Sequence, residues 1–226
     1  MQRTTQVDEK ANAMTRGRYA RIAPFYDFME IVPEARYRSW RERFWQGVDR
    51  TLPPGGRLLE VGVGTGKNLP YWPRGADVTA VDLTPGMVKR ARQRGEKLGL
   101  EAEIRIGDVQ SLDLPVNNFD AAAATFVFRS VPDPVLGLKE LHRVVRPGGA
   151  VLLMEHVRAE PPLLGRSMDL LNPIVVRVMG ANINRETVGN VVKSGLWVEE
   201  VEDLGMGGIF KIIWARVPGR GREGEH

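Results

Sequence analysis

Leu58-Leu59-Glu60-Val61-Gly62-Val63-Gly64-Thr65-Gly66, followed at Ala80-Val81-Asp82 by a second apolar run that ends in an acid, decides how this chain is read. An apolar run without alternation is the pattern of a parallel strand buried on both faces. The glycines after it let the backbone turn tightly and approach a ligand where side chains would otherwise stand. An acid about twenty residues further on falls at the end of the next strand, where it meets ribose hydroxyls. Together these features describe a pocket for a nucleoside-bearing cofactor.

Two familiar loops are excluded by counting. A dinucleotide fingerprint, G-x-G-x-x-G, needs its third glycine at position 67, which is Lys67. A phosphate-binding P-loop needs glycine at 61 and Ser or Thr at 68, where Val61 and Asn68 stand. What remains, E-x-G-x-G-x-G over Glu60–Gly66, resembles motif I of the class I S-adenosylmethionine (SAM) dependent methyltransferases. SAM has no pyrophosphate, so Gly62, Gly64 and Gly66 need only admit a methionine tail. The resemblance implies that Glu60 answers the cofactor's ammonium group, directly or through water, and that Asp82 holds the ribose. A plain glycine turn after a core strand is the alternative.

Composition narrows the rest. With 226 residues, 42% of them hydrophobic, the chain can bury one sizeable core. A net charge of +4 suits an anionic membrane surface or an acidic ligand, and is too small to argue for nucleic acid. The absence of cysteine excludes disulfides, thiolate metal sites and a cysteine nucleophile, and suits a cytoplasmic protein. Only His142, His156 and His226 are available, so no metal site is expected. No apolar run approaches the roughly 18 residues of a membrane span, and the N-terminus is polar.

Residues 1–50 are expected to form an N-terminal helical cap, with helices over 12–31 and 34–50 broken at Val32-Pro33. Strands are expected at 57–61, 77–81, 102–106, 119–125 and 150–154, with helices at 86–98 and 134–145, the latter closed by Arg146-Pro147-Gly148-Gly149. Residues 157–184 break this rhythm and read as an acceptor-cap insertion. A helix at 185–194 and strands at 197–204 and 208–217 complete the core at 51–217, and 218–226 reads as a disordered tail. The resemblance implies an α/β class I methyltransferase fold: a Rossmann-like, doubly wound seven-stranded sheet with a C-terminal antiparallel hairpin.

Further site candidates lie at strand ends. Asp108 and Val109 follow the third strand, where family members hold the adenine amino group; Asp108 would equally suit a helix N-cap. Leu83 and Met87 form an apolar wall for adenine, or pack the core. Thr125 ends the fourth strand, where open sheets place ligands, and Arg129 is an unexpected cation just beyond it. No D/N/S-P-P-aromatic motif stands here, which counts against a nucleic-acid base as acceptor. His156, with Glu155 beside it, is the candidate proton acceptor. In similar enzymes a segment like 19–27 closes over SAM, so Tyr19 and Tyr26 are candidates near the sulfonium, whose charge an aromatic face attracts. Asn182, Asn184 and Arg185 suit an acceptor cap or a subunit interface.

The resemblance extends to three subfamilies. Leu69-Pro70-Tyr71 and Ser130-Val131-Pro132-Asp133-Pro134 look like bacterial phosphatidylethanolamine N-methyltransferases. Ile22-Ala23-Pro24-Phe25-Tyr26-Asp27 and Arg38-Ser39-Trp40-Arg41 are similar to ubiquinone/menaquinone biosynthesis C-methyltransferases. Glu155-His156-Val157 and Asn182-Ile183-Asn184-Arg185-Glu186 look like animal alkyl-thiol methyltransferases. The chain departs from each, notably where the lipid enzymes carry Asn-His and the quinone enzymes Glu-Phe. All three imply a lipophilic small-molecule or phospholipid acceptor, phosphatidylethanolamine being the first choice here; a non-catalytic SAM-binding subunit is the contrasting reading. Arg36, Arg38, Arg41 and Arg43 beside Tyr37, Trp40, Phe44 and Trp45 would suit peripheral contact with an anionic membrane, or a solvated face with buried aromatics.

Overall fold

The structure, a computed structural model, describes residues 7–22, 31–157, 186–205 and 208–219, together with Leu170. Two helices, α1 (Glu9–Ile22) and α2 (Ile31–Thr51), precede β1 (Arg57–Val61). A single turn of 3-10 helix at Leu69–Tyr71 leads to β2 (Asp77–Asp82), α3 (Pro85–Leu98), β3 (Glu103–Ile106) and β4 (Phe119–Thr125). Then come α4 (Pro134–Val144), β5 (Val145–His156), α5 (Thr187–Lys193), β6 (Trp197–Asp203) and β7 (Phe210–Arg216).

The strands form a seven-stranded sheet in the order β3-β2-β1-β4-β5-β7-β6. The β1–β5 strands run parallel, and β7 enters antiparallel between β5 and β6. Such parallel strands need both faces covered, which is why they read as unbroken apolar runs. Leu59, Val61, Ala122, Ala124, Val151 and Leu153 pack with Leu138 and Leu141 of α4 and Val191 of α5. The opposite face, with Leu58, Ala121, Ala123, Leu152 and Met154, is covered by Phe44, Trp45 and Val48 of α2 and by Val88 and Ala91 of α3. Strand order reverses at β1, between β2 and β4, and a crevice at such a switch point is where doubly wound sheets bind ligands.

Three local expectations change. Helix α2 does not break at Val32-Pro33; it starts at Ile31, so Pro33 lies in the first turn, where a missing N–H removes no helical bond. Arg146–Gly149 do not close α4 from outside the sheet: β5 already starts at Val145, paired with Phe119, and the register resumes past a bulge at Ala121↔Ala150. The interfacial reading of the α2 cluster fails for its inner members. Phe44 and Trp45 are 0% and 2% exposed, and Arg41 is 4% exposed. Fully burying such an aromatic is worth about 1.5–3 kcal/mol, which outweighs a surface contact. Gly47 shows how close this packing is, since a Cβ there would lie 1.9 Å from the Trp214 ring. Arg38 and Arg43 point outward, paired with Glu42 at 3.1 Å and Glu202 at 3.0 Å. Among the described residues no helix is long and apolar enough to cross a membrane, and no cluster of potential metal ligands occurs.

Candidate active site

The site starts where β1 stops. Gly62, Gly64 and Gly66 have φ of 69°, 56° and 81°, backbone values that disfavour side chains. Gly62 and Val63 donate their N–H groups to the carbonyl of Val81 at 2.8 and 3.1 Å, tying the loop to the end of β2. Asp82 completes the seam: its Oδ2 accepts from Gly64 N at 3.0 Å and its Oδ1 from Thr84 N at 2.8 Å. Burial pushes its carboxyl upward, and those two backbone bonds oppose the shift. Each oxygen keeps lone pairs for a ribose hydroxyl.

A cavity opens along this seam. Its walls include Gly62–Thr65, Asp82, Leu83 and Met87 on one side, Asp108–Gln110 at one end, and Thr125–Val127 opposite. Asp108 caps no helix; its Oδ1 accepts from Gln110 N at 2.9 Å in a local turn. Its other oxygen accepts from Asn12 Nδ2 of α1 at 2.6 Å. Gln110 returns a bond to Asn12 Oδ1 at 2.8 Å and accepts from Asp133 N at 2.9 Å. A polar latch therefore fastens α1 over the cavity. Asn12 and Thr15 both line it, and no sequence pattern marked either one.

Glu60 is set back from the cavity wall. It is wholly buried and is not a wall of the cavity; Asn68 and Arg41 are. Asn68 Nδ2 donates to Glu60 Oε1 and, at 2.9 Å, to Thr125 Oγ1, while Trp72 Nε1 donates to Glu60 Oε2 at 2.6 Å. Arg41 donates from Nη1 to Asn68 Oδ1. Burial raises the Glu60 carboxyl from 4.5 to about 7, against the opposing pull of Asn68, Trp72 and Arg41.

Beyond Thr125 the character changes. Phe126 has φ 58°, a strained value for a bulky residue, held by its N–H to the Met154 carbonyl at 2.8 Å. Its ring lies 5.4 Å from Tyr37 and 6.1 Å from Phe210, and Trp40 lies 5.2 Å from Phe210. An aromatic wall thus continues from the cavity to the ends of β5 and β7. The Arg129 guanidinium stands 5.8 Å from the Phe126 ring centre, and His156 packs edge-on at 5.1 Å against Phe210.

Glu155 and His156 do not act on each other as neighbours, because successive strand residues face opposite sides of the sheet. Glu155 turns under the β4 loop, where its Oε1 accepts from Val127 N at 2.7 Å and Phe128 N at 2.9 Å. Burial lifts its carboxyl to about 7 against those bonds and Arg129. Burial and then Arg129 lower His156 to about 4, so its ring is neutral near pH 7. Neither Arg129 nor His156 lines the cofactor cavity. Tyr26, Asn182, Asn184 and Arg185 lie outside the described residues, as does the side chain of Tyr19.

A glycine loop, a strand-end acid and a nucleoside-sized crevice at the switch point of a doubly wound sheet define a nucleoside-cofactor enzyme. The Methyltransferase domain family matches residues 59–153, from β1 into β5. A phosphatidylethanolamine N-methyltransferase of Cereibacter sphaeroides is 43% identical over 112 residues, which are 48% of this chain and 55% of that protein. The chain thus spans little more than half of that relative. The ubiquinone/menaquinone biosynthesis C-methyltransferase UbiE of the same species (strain ATCC 17029) is 31% identical over 189 residues, 79% of this chain and 72% of the relative. Among solved structures, a SAM-dependent methyltransferase from Methanosarcina mazei shares the fold with a TM-score of 0.63 at 23% identity, covering 76% of this chain and 97% of that one. The chain belongs to the class I SAM-dependent methyltransferases, and SAM is its cofactor.

The cavity fits that cofactor. The nearest atom to a Cβ at Gly64 would lie 4.0 Å away, whereas one at Gly62 would strike Val127 Cγ2 at 2.3 Å. The loop is therefore open on the cofactor side and closed against β4. Asp82 suits the ribose, Leu83 and Met87 an adenine face, and Asp108 the adenine amino group.

Proposed function

We propose that this methyltransferase acts on a lipophilic amine, and that phosphatidylethanolamine is the acceptor its site suits best. The supporting observation is the aromatic wall of Tyr37, Trp40, Phe126 and Phe210, continuous with the cofactor cavity through Phe126 and edged by Arg129. Aromatic faces attract an ammonium that is gaining methyl groups, and a guanidinium suits the adjoining phosphate.

SAM supplies an activated methyl on its sulfonium. The acceptor nitrogen would take that methyl by displacement, with S-adenosylhomocysteine as the leaving group. The amine must first lose a proton to present its lone pair. His156 is neutral near pH 7 and stands at the edge of the aromatic wall, 5.1 Å from Phe210; the burial that lowers it to about 4 makes it a weak base, which suits it to pass that proton on to water rather than to keep it. Asp82, the glycines and the α1 latch contribute alignment and exclusion of water, worth several kcal/mol in a displacement of this kind. Tyr26 and Tyr19 are proposed beside the sulfonium, and Asn182, Asn184 and Arg185 on the acceptor. The acceptor would be drawn from a membrane that the protein touches peripherally.

C-methylation of a quinol is the second reading, favoured by the UbiE likeness over 79% of the chain. It needs the aromatic wall but no phosphate partner. Incubation with SAM and vesicles of phosphatidylethanolamine, a demethylated quinol or an alkyl thiol, with S-adenosylhomocysteine measured in each, separates the readings. Turnover is expected with the ethanolamine vesicles and reduced at least tenfold by Arg129→Ala. Turnover confined to the quinol or the thiol replaces the first reading. Tight SAM binding without turnover on any acceptor favours a non-catalytic SAM-binding subunit.

A further inference from the structure

We propose that Arg41 anchors the α-carboxylate of the cofactor's methionine tail, and that Glu60, Asn68 and Trp72 are the frame that holds Arg41 in place. The proposal rests on SAM binding and is independent of the acceptor.

The acids that line the cavity, Asp82 and Asp108, stand at its nucleoside side. With the nucleoside there, the methionine tail extends along Gly62–Thr65 towards Asn68. The charged side chains that line that end are Arg41 and Lys67. Arg41 is the built one, 4% exposed yet forming part of the wall, whereas Lys67 is half-buried.

A buried guanidinium costs several kcal/mol unless it is compensated. Part of that compensation is a relay: Arg41 donates to Asn68 Oδ1 and the Asn68 amide donates in turn to Glu60 Oε1, whose carboxyl the guanidinium pulls towards its charged form against burial. Both ends of the Asn68 side chain are thus in use, which fixes the direction of its amide. Trp72 holds the far oxygen of Glu60 at 2.6 Å. Glu60 consequently reaches the cavity only through its neighbours. A guanidinium carries five N–H donors in a planar fork. The fork matches a carboxylate in two-point contact, which an ammonium cannot accept.

Calorimetric binding of three ligands tests this: S-adenosylhomocysteine, its tail carboxamide, and 5′-methylthioadenosine, which lacks the amino-acid tail. The wild-type protein should bind the carboxamide at least tenfold more weakly than the parent acid. Arg41→Met should weaken S-adenosylhomocysteine at least tenfold and change 5′-methylthioadenosine less than twofold. Arg41→Lys, which keeps the charge but not the fork, should fall between. Glu60→Gln should weaken S-adenosylhomocysteine and its deamino analogue by the same factor, because its effect passes through Asn68 and Arg41. Equal losses on both adenosines in Arg41→Met would reduce Arg41 to a packing role. A tail-selective loss in Lys67→Met but not Arg41→Met would move the anchor to Lys67. If Arg41→Met does not fold, the carboxamide comparison on the wild type and the Arg41→Lys values decide. Undiminished carboxamide binding overturns the proposal.

Discussion

Glu60 at the end of β1 and Glu155 at the end of β5 are both wholly buried carboxyls lifted from 4.5 to about 7 by burial. Their partners differ in kind. Glu60 is held by side chains, Asn68 and Trp72, and frames a wall of the cofactor cavity. Glu155 is held by backbone, the N–H groups of Val127 and Phe128, and its Oε2 has no hydrogen-bond partner among the described residues. One acid therefore sets the position of neighbouring polar groups, while the other sets the path of the chain that carries Phe126. The same burial shapes a cavity wall at one end of the rim and the β4 loop at the other.

The comparison breaks most visibly at Glu155. Glu155→Ala removes the acceptor of the part-buried Val127 N–H and the buried Phe128 N–H and should cost about 3 kcal/mol, read as a fall in chemical-denaturation midpoint. Acceptor turnover should fall further than S-adenosylhomocysteine affinity. Gly62→Ala tests the point where the two ends touch. Its Cβ would lie 2.3 Å from Val127 Cγ2 at a φ of 69°, so we expect a loss of about 2 kcal/mol and at least tenfold weaker S-adenosylhomocysteine binding. Trp72→Phe leaves Glu60 Oε2 without its donor and should cost about 1–2 kcal/mol without disturbing the β4 loop. Unchanged stability there would show that Trp72 contributes only packing.

Proton linkage sharpens the comparison. In the folded state each acid keeps its proton up to about pH 7, whereas the unfolded chain releases it near 4.5. The stability contributed by a protonated, buried carboxyl is present in full below pH 4.5 and declines as pH rises to about 7, on the order of 1 kcal/mol per pH unit for each group. Melting temperatures at pH 5 and pH 8 should therefore differ less in Glu155→Gln and in Glu60→Gln than in the wild type. The smallest effect is expected from Asn12→Ala, which opens the α1 latch. Among the described side chains of α1 only Asn12 is buried, so global stability should change by less than about 1 kcal/mol. S-adenosylhomocysteine binding should weaken several-fold, and proteolysis within α1 should accelerate.

Much of the cofactor half was legible in the chain because its signals are local. Buried parallel strands require continuous apolar runs, and a tight turn at positive φ requires glycine, so β1, β2, Gly62–Gly66 and Asp82 appear in sequence order. Arg41 was misassigned for the opposite reason. It stands in a helix among Arg38 and Arg43, and nothing within the helix separates the cation that faces inward from those that face out. The deciding neighbour, Asn68, lies 27 positions away, and Asn12 meets Asp108 across 96. Glu155 and His156 were adjacent in sequence and read as a pair, yet strand geometry sends them to opposite faces.

By itself, then, the sequence determined the strand rhythm, the doubly wound class and the loop that admits the methyl donor, since period and turn chemistry depend on near neighbours. Only the tertiary structure decided which charged and aromatic side chains are buried, and against what. Arg41 became a cavity wall, Glu60 its support, and Phe126 the hinge to an aromatic surface, because desolvation and charge pairing are set by segments that meet only when the sheet is assembled.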